Sequence, residues 1–337
     1  MTGYRSLVTV GVAAIMALGV TSCGGKKEKA TAANPATDAA AQAPAGKKIV
    51  VGYSQIGAES GWRTANTLSI KSEAAKRGVD LRFADAQQKQ ENQLKALRTF
   101  LAQKVDLILL SPVVETGWEP VLREIKQAGI PVILSDRRVA VTDDSLFVTF
   151  VGSDIVEEGR RAAEWMAKKM NGKAKIAELQ GTPGSAPAID RKKGFEEVLA
   201  KYPDMTIIKS QTGDFTRSKG KEVMEAFLKS PAGKDINALY AHNDDMALGA
   251  IQAIEAAGLK PGADIVVVSI DGVKGAFEAM VAGKLNCTVE CNPLLGPQIF
   301  DAVEAVLAGK TLPKHIKAEE GVYDQSQAKD VIASRQY

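Results

Sequence analysis

The chain is poor in the residues that build most metal and redox centres. Its 337 residues include two histidines, His242 and His315, and three cysteines. That inventory nearly excludes a zinc site built on His and Cys, and three cysteines are too few for a disulfide scaffold. An excess of charge is also missing. Lys and Arg number 43 against 40 Asp and Glu, for a net charge of +3. A nucleic-acid binder that works through charge needs far more. No apolar run reaches the roughly 18 residues of a membrane-spanning helix, so a polytopic membrane protein is ruled out. Phosphate-handling motifs are absent too. The first strand is followed by Gly52-Tyr53-Ser54-Gln55-Ile56-Gly57, which is not the glycine spacing of a dinucleotide fold, and no Gly-x-x-x-x-Gly-Lys-Ser/Thr phosphate loop or Gly-x-Ser-x-Gly elbow occurs. What is present is 45% apolar and 25% charged residues, an ordinary globular balance, in a length that suggests about two domains.

The first residues read as an address. Arg5 precedes an apolar run from Leu7 to Val20, 14 residues long, which suits the roughly 7–15-residue core of a signal peptide. The run ends in Val20-Thr21-Ser22-Cys23-Gly24. This resembles a bacterial lipoprotein box, with residues 1–22 removed and Cys23 lipidated. A plain secretory signal with an incidental cysteine is the alternative. Residues 23–46 are Ala-rich, with Pro35 and Pro44 and no large apolar side chain. They cannot bury enough surface to offset ordering and read as a tether.

From Lys47 onward, short β-branched or apolar runs alternate with longer amphipathic stretches. Ten strands are expected: 49–54, 80–84, 107–111, 132–135, 147–151, 174–179, 206–210, 238–241, 265–270 and 286–291. Nine helices fall between and after them, at 62–77, 90–103, 118–128, 155–170, 187–201, 216–229, 244–257, 273–283 and 295–308. Runs such as Leu107-Ile108-Leu109-Leu110 suit strands covered on both faces. The expected fold class is therefore α/β, with doubly wound parallel sheets. Ten strands are many for one sheet, so two lobes are expected.

Ligands of doubly wound sheets bind beyond the carboxyl ends of the strands. Those ends carry Glu59 and Trp62-Arg63, Asp136-Arg137, Gln180 and then Arg191, Asp214-Phe215, Asn243-Asp244-Asp245, and Asp271. Carboxylates, guanidinium groups, a carboxamide and aromatics suit a ligand rich in hydroxyls. Each residue has a plainer reading as well. Asp136 and Arg137 could be a surface ion pair, Asn243 a helix cap, Asp271 the start of a turn and Phe215 core.

Several motifs lie in one order: Ser135-Asp136-Arg137, Glu178-Leu179-Gln180-Gly181, Gly213-Asp214-Phe215-Thr216-Arg217, His242-Asn243-Asp244-Asp245 and Ser269-Ile270-Asp271-Gly272. In these the chain resembles the periplasmic sugar-binding proteins of the ribose and galactose type. Gln55 to Arg63, Gln87 to Gln93, Thr116 to Leu122 and Ala188 to Phe195 look like the galactofuranose-binding branch. The resemblance implies two lobes joined by a three-strand hinge. Residues 47–152 with 292–322 would form the N-terminal lobe, and 153–291 with 323–337 the C-terminal lobe, with crossings near Gly152, Asn292 and Tyr323. It also implies a monomeric, non-enzymatic binding protein without cofactor or metal. Such a protein holds a monosaccharide by hinge closure and delivers it to the permease and ATPase subunits of an ABC importer. The expected site is in the periplasm or cell envelope, on a lipid anchor at Cys23. Glu59, Trp62, Arg63, Asp136, Arg137, Arg191, Phe215, Asn243 and Asp271 would grip the ligand.

At Trp62-Arg63, ribose-type relatives carry two aromatics. Here a donor fork replaces one wall, which suits a hexofuranose with its polar exocyclic arm. On this reading Arg63→Phe weakens hexofuranose binding far more than it disturbs folding. Ribose, galactopyranose or another sugar remains an alternative ligand, as does a secreted carbohydrate-active enzyme, since Asp136, Asp271 and Glu59 could converge as paired carboxylates. A LacI-type repressor shares the core but would need a DNA-reading helix pair where the signal lies. Cys287 and Cys291, about 13 Å apart along one strand, are expected to remain separate thiols. His242 and Trp118 are expected to pack rather than react, and Glu290 is left unassigned.

Overall fold

The computed structural model describes residues 48–337. The expected signal segment 1–22, Cys23 and the tether to residue 46 lie outside the described residues. The first half of the body runs β1 (Val50–Gln55), α1 (Gly61–Lys76), β2 (Asp80–Asp85), α2 (Gln90–Ala102), β3 (Leu107–Leu110), α3 (Glu119–Gln127), β4 (Val132–Ser135) and β5 (Thr149–Gly152). The second runs α4 (Ile155–Lys169), β6 (Ala174–Gln180), α5 (Ala186–Leu199), β7 (Met205–Thr212), α6 (Arg217–Lys229), β8 (Ala238–Ala241), α7 (Asp244–Ala256), β9 (Val266–Asp271), α8 (Lys274–Val281) and β10 (Cys287–Glu290). The chain closes with α9 (Gly296–Leu307), β11 (His315–Lys317), β12 (Val322–Asp324) and α10 (Ala328–Val331).

The strands form two six-stranded sheets, ordered β11-β5-β4-β3-β1-β2 and β12-β10-β9-β8-β6-β7. All pairings are parallel except β12 against β10. The chain passes between sheets three times: after β5, after β10, and between β11 and β12. The third passage lies just ahead of Tyr323, which is inside β12. The sequence reading missed β11, β12 and α10. Each is only three or four residues long, and the two strands are recruited to the edges of sheets built from distant sequence. The expected strand at Phe147 begins instead at Thr149, because a 3₁₀ turn at Asp144–Leu146 occupies the approach.

Burial follows the sequence pattern. Every residue of β3, β4, β5 and β8 is buried, as expected for strands with helices on both faces. Fully burying each Leu or Ile of such strands is worth about 1.5–3 kcal/mol. Helices begin just beyond the strands' carboxyl ends and are capped there. Ser60, Ser185, Thr216 and Asn243 accept from Arg63, Ala188, Lys219 and Met246 amides, satisfying amide groups the helix itself leaves free.

One helix pair packs with backbone against backbone. A Cβ on Gly159 of α4 would lie 2.2 Å from the Arg191 carbonyl oxygen, and one on Gly194 of α5 would lie 1.9 Å from that of Val156. Neither obstacle is a side chain that can swing away. Gly194→Ala is therefore expected to cost about 1–3 kcal/mol by urea unfolding. It should also weaken ligand binding, because Arg191 is on the displaced helix; unchanged unfolding midpoint and affinity would contradict this.

Candidate functional site

Between the carboxyl ends of the two sheets lies a narrow cleft, lined by residues from both. All nine residues singled out from the sequence reach it: Glu59, Trp62, Arg63, Asp136 and Arg137 from the first lobe, Arg191, Phe215, Asn243 and Asp271 from the second. Ser60, Pro187 and Cys291 also line it and were not singled out. Ser60 carries no signal beyond its cap. Cys291 presents its backbone: the Trp62 indole donates to the Cys291 carbonyl at 2.6 Å.

The first-lobe half is an ion-pair lattice centred on Arg63. Its Nε donates to Glu59 Oε1 at 3.0 Å and its Nη2 to Asp136 Oδ2 at 2.6 Å, with all three side chains buried. Arg137 approaches both carboxylates at 3.7 Å and donates to the Val113 carbonyl at 3.1 Å. Burial and the charge of Arg63 push Arg137 down to about 10. Burial raises the Glu59 carboxyl, but Arg63 and Arg137 outweigh it and hold the group below its usual range. This lattice revises the expectation for Arg63→Phe. The substitution would strand Glu59 and Asp136 without their strongest partner, so it should damage folding as well as binding.

The second-lobe half is built around Arg191. Its Nε donates to Glu158 Oε2 at 2.8 Å and its Nη1 to the His242 carbonyl at 2.5 Å, while Nη2 lies 3.7 Å from Asp271 Oδ1. Burial raises the Asp271 carboxyl well above its ordinary value against the pull of Arg191. Asn243 does two jobs: its Oδ1 caps α7 and its Nδ2 donates to the Phe215 carbonyl at 3.1 Å. Phe215 forms an aromatic wall between Arg137 and Arg191, whose guanidinium carbons lie 5.2 and 6.0 Å from the ring. The ring fits because residue 181 is glycine; a Cβ there would lie 1.9 Å from it. Opposite, Arg63 lies 4.7 Å over Trp62. Backbone strain gathers here. Asp136, Asp214, Phe215 and Asp271 have φ values of 65°, 53°, 60° and 138°, conformations that non-glycine residues adopt at a cost.

Other expectations have plain outcomes. His242 is buried, with Nε2 3.1 Å from Glu178 Oε1, outside the cavity lining. Trp118 is fully buried in the first-lobe core. Cys287 and Cys291 are buried free thiols. Glu290 is turned away from the cavity, toward Arg335, the Gly321 amide and Tyr337.

Six charged side chains line the cavity: three carboxylates (Glu59, Asp136, Asp271) and three guanidinium groups (Arg63, Arg137, Arg191). The lining is thus balanced, which favours a neutral ligand with many hydroxyls over an anion. Glu59 Oε2, Arg63 Nη1 and Arg137 Nε are buried without a protein hydrogen-bond partner. Such atoms are costly unless a ligand satisfies them. The lobes also touch beside the cavity. The Gly61 amide donates to Asp245 Oδ2 at 2.8 Å, the Glu115 amide donates to the Gly184 carbonyl at 2.9 Å, and Arg138 pairs with Asp190.

Comparison with known proteins agrees with this geometry. A family model for the periplasmic binding protein domain matches residues 50–311. The chain is 55% identical to the galactofuranose-binding protein YtfQ of Escherichia coli K12, over 80% of this chain and 85% of that one. It is 33% identical to the ribose import binding protein RbsB of Bacillus subtilis, over 81% and 86%. Among solved structures, the binding component of an arabinose ABC transporter from Shewanella, bound to L-arabinofuranose, is 55% identical. It has a TM-score of 0.83 and covers 85% of this chain and 95% of its own. A Mycobacterium smegmatis protein in complex with β-D-fucofuranose is 53% identical, also with a TM-score of 0.83, over 86% and 95%. With two doubly wound lobes around a charge-balanced cleft and a family match over most of its length, the chain belongs to the periplasmic binding proteins, in their sugar-binding group.

Proposed function

We propose that the chain captures a furanose-ring monosaccharide, galactofuranose first, for an ABC importer, and that Glu59, Trp62, Arg63, Asp136, Arg137, Arg191, Phe215, Asn243 and Asp271 hold it. The observation that carries this is the balanced, two-lobed polar cavity walled by Trp62 and Phe215. The aromatic faces cover a sugar ring's less polar sides while the charged groups meet its hydroxyls. Capture is by closure, since only the closed form presents both halves of the site at once. Arg63 beside Trp62 offers donors to an exocyclic arm. The names of the similar proteins that bind galactofuranose, arabinofuranose and fucofuranose support a furanose ring over a pyranose. Arabinofuranose is the second reading, favoured by the 55% identical neighbour solved with it. Lipidation of Cys23 would hold the protein at a membrane surface of the cell envelope. Among the described residues no helix is long and apolar enough to cross one.

A thermal-shift comparison tests the ligand. D-galactose supplies furanose rings in equilibrium; methyl β-D-galactopyranoside cannot. A ligand at a hundred times its Kd adds about 2.7 kcal/mol, hence a rise of about 5 °C or more. D-galactose or L-arabinose should produce it and the locked pyranoside should not. An equal shift from the pyranoside, or a larger one from D-ribose, would overturn the furanose reading. Mass labelling of the exported protein at Cys23 tests the anchor.

A further inference from the structure

The three passages between lobes meet at a cluster, buried except for the half-buried Glu320, that touches the ligand site through Arg191. Ser153 follows the first passage, Cys291 and Asn292 open the second, and Glu320 lies in the third. Glu320 Oε1 accepts from the Ser153 hydroxyl at 2.5 Å and from the Asn292 amide at 2.8 Å. Ser153 Oγ is 3.3 Å from Cys291 Sγ. Glu158 of α4 completes the cluster: ligand atoms of Glu158, Cys291 and Glu320 lie within 4.8 Å of one another. Glu158 Oε2 holds Arg191, while its Oε1 is buried without a partner.

We propose that Glu158 is a positioning residue for Arg191 and shares one proton with Glu320 at the hinge, so that the protein holds its sugar more tightly at low pH than at high pH. The inference rests on the sugar-binding reading above. Closure brings the Trp62 indole of the first lobe onto the Cys291 carbonyl, at the edge of the cluster. Two carboxylates this close, one buried and the other half-buried, repel each other when both are charged, although Arg191 compensates the first. A proton taken from solvent onto Glu320 removes the repulsion, and opening returns it. A groove on the far side of the hinge, lined by Glu158 and Glu320, gives solvent access.

The surroundings favour a proton over a metal ion. Glu320 Oε1 already accepts two hydrogen bonds, and Arg191 occupies the outer oxygen of Glu158. The other charged groups nearby are Asp154 at the cap of α4, Glu157 and Arg161 on α4, Lys317 at the end of β11 and Glu319 after it, and Asp271 with Arg191 on the ligand side. His315 on β11 bonds the Gly152 carbonyl at 2.9 Å, one residue before Ser153. Burial, then the charge of Glu158, raises Glu320 to about 8. A carboxyl raised in the closed form favours closure fully below its open-form pKa. That advantage is lost as pH rises toward about 8, and the curve is flat above it.

The experiment is calorimetric titration of D-galactose or L-arabinose, whichever gives the thermal shift, into wild type and Glu320→Gln across pH. Glutamine keeps the oxygen that Ser153 and Asn292 address, so folding should survive. Wild-type affinity should fall about threefold or more between about pH 6 and pH 8, with net proton uptake on binding. In E320Q both should disappear while binding at low pH remains. Asp271 and His315 are present in both proteins, so the difference reports Glu320. The same pH slope in E320Q, or loss of the wild-type slope on adding a metal chelator, would overturn the proposal. Absence of any binding at every pH in wild type would instead count against the sugar reading itself.

Discussion

Replacing Arg191 with methionine is expected to abolish sugar binding and to lower stability by about 3–5 kcal/mol. The guanidinium is buried and holds the buried Glu158 by a 2.8 Å hydrogen bond, with Asp271 3.7 Å away and the His242 carbonyl as third partner. Methionine fills much of the volume but leaves the buried Glu158 carboxyl without its partner, in the condition that makes a broken buried pair costlier than one never made. Glu158→Gln in the same chain should recover part of the lost stability and none of the binding. Equilibrium unfolding with calorimetry over this double-mutant cycle separates the two roles. If R191M still binds sugar with near wild-type affinity, the second-lobe half of the site is misassigned.

Asp271→Asn should separate binding from stability in the other direction. Its carboxylate is buried, with a pKa raised by desolvation and Arg191 at 3.7 Å as its nearest compensation. Asparagine keeps the shape and carries no charge to bury. Arg191 keeps Glu158 as its partner. The empty protein is expected to be as stable as wild type or more stable. A charged hydrogen bond to a sugar hydroxyl is worth about 1.5–3 kcal/mol, so affinity should drop roughly tenfold to hundredfold. A destabilised D271N that still binds would reverse the assignment, making Asp271 a structural group. The gathering of strained backbone at Asp136, Asp214, Phe215 and Asp271 fits a site whose geometry is held against local preference.

Much of this was legible in the sequence because it is local. Continuous apolar runs pointed to ten strands, and the rule for doubly wound sheets pointed to the strand ends that line the cavity. Charge partnership was not legible. Glu158 reads as one more acid on the exposed face of a helix, beside Glu157 and two arginines, and only packing against α5 turns it inward to Arg191. Arg63 read as a sugar contact alone, because nothing in a linear sequence brings Asp136 to within 2.6 Å of it. The edge strands β11 and β12 were missed for a related reason. Three residues carry no periodicity, and their partners lie more than a hundred and about thirty-five residues away in the chain, respectively.

Those edge strands also bear on how the molecule is made. β1 through β5 are complete by residue 152, yet their sheet lacks an edge until His315–Lys317 arrives, and α1 has no α9 to lie against before Gly296–Leu307. A ribosome-bound fragment of the first half would therefore present uncovered apolar surface, and the first lobe can be finished only after β11 has been made. Loop closure over that span is slow. A chain that stays unfinished until its last turns is one that can still be threaded through a translocation channel before it folds.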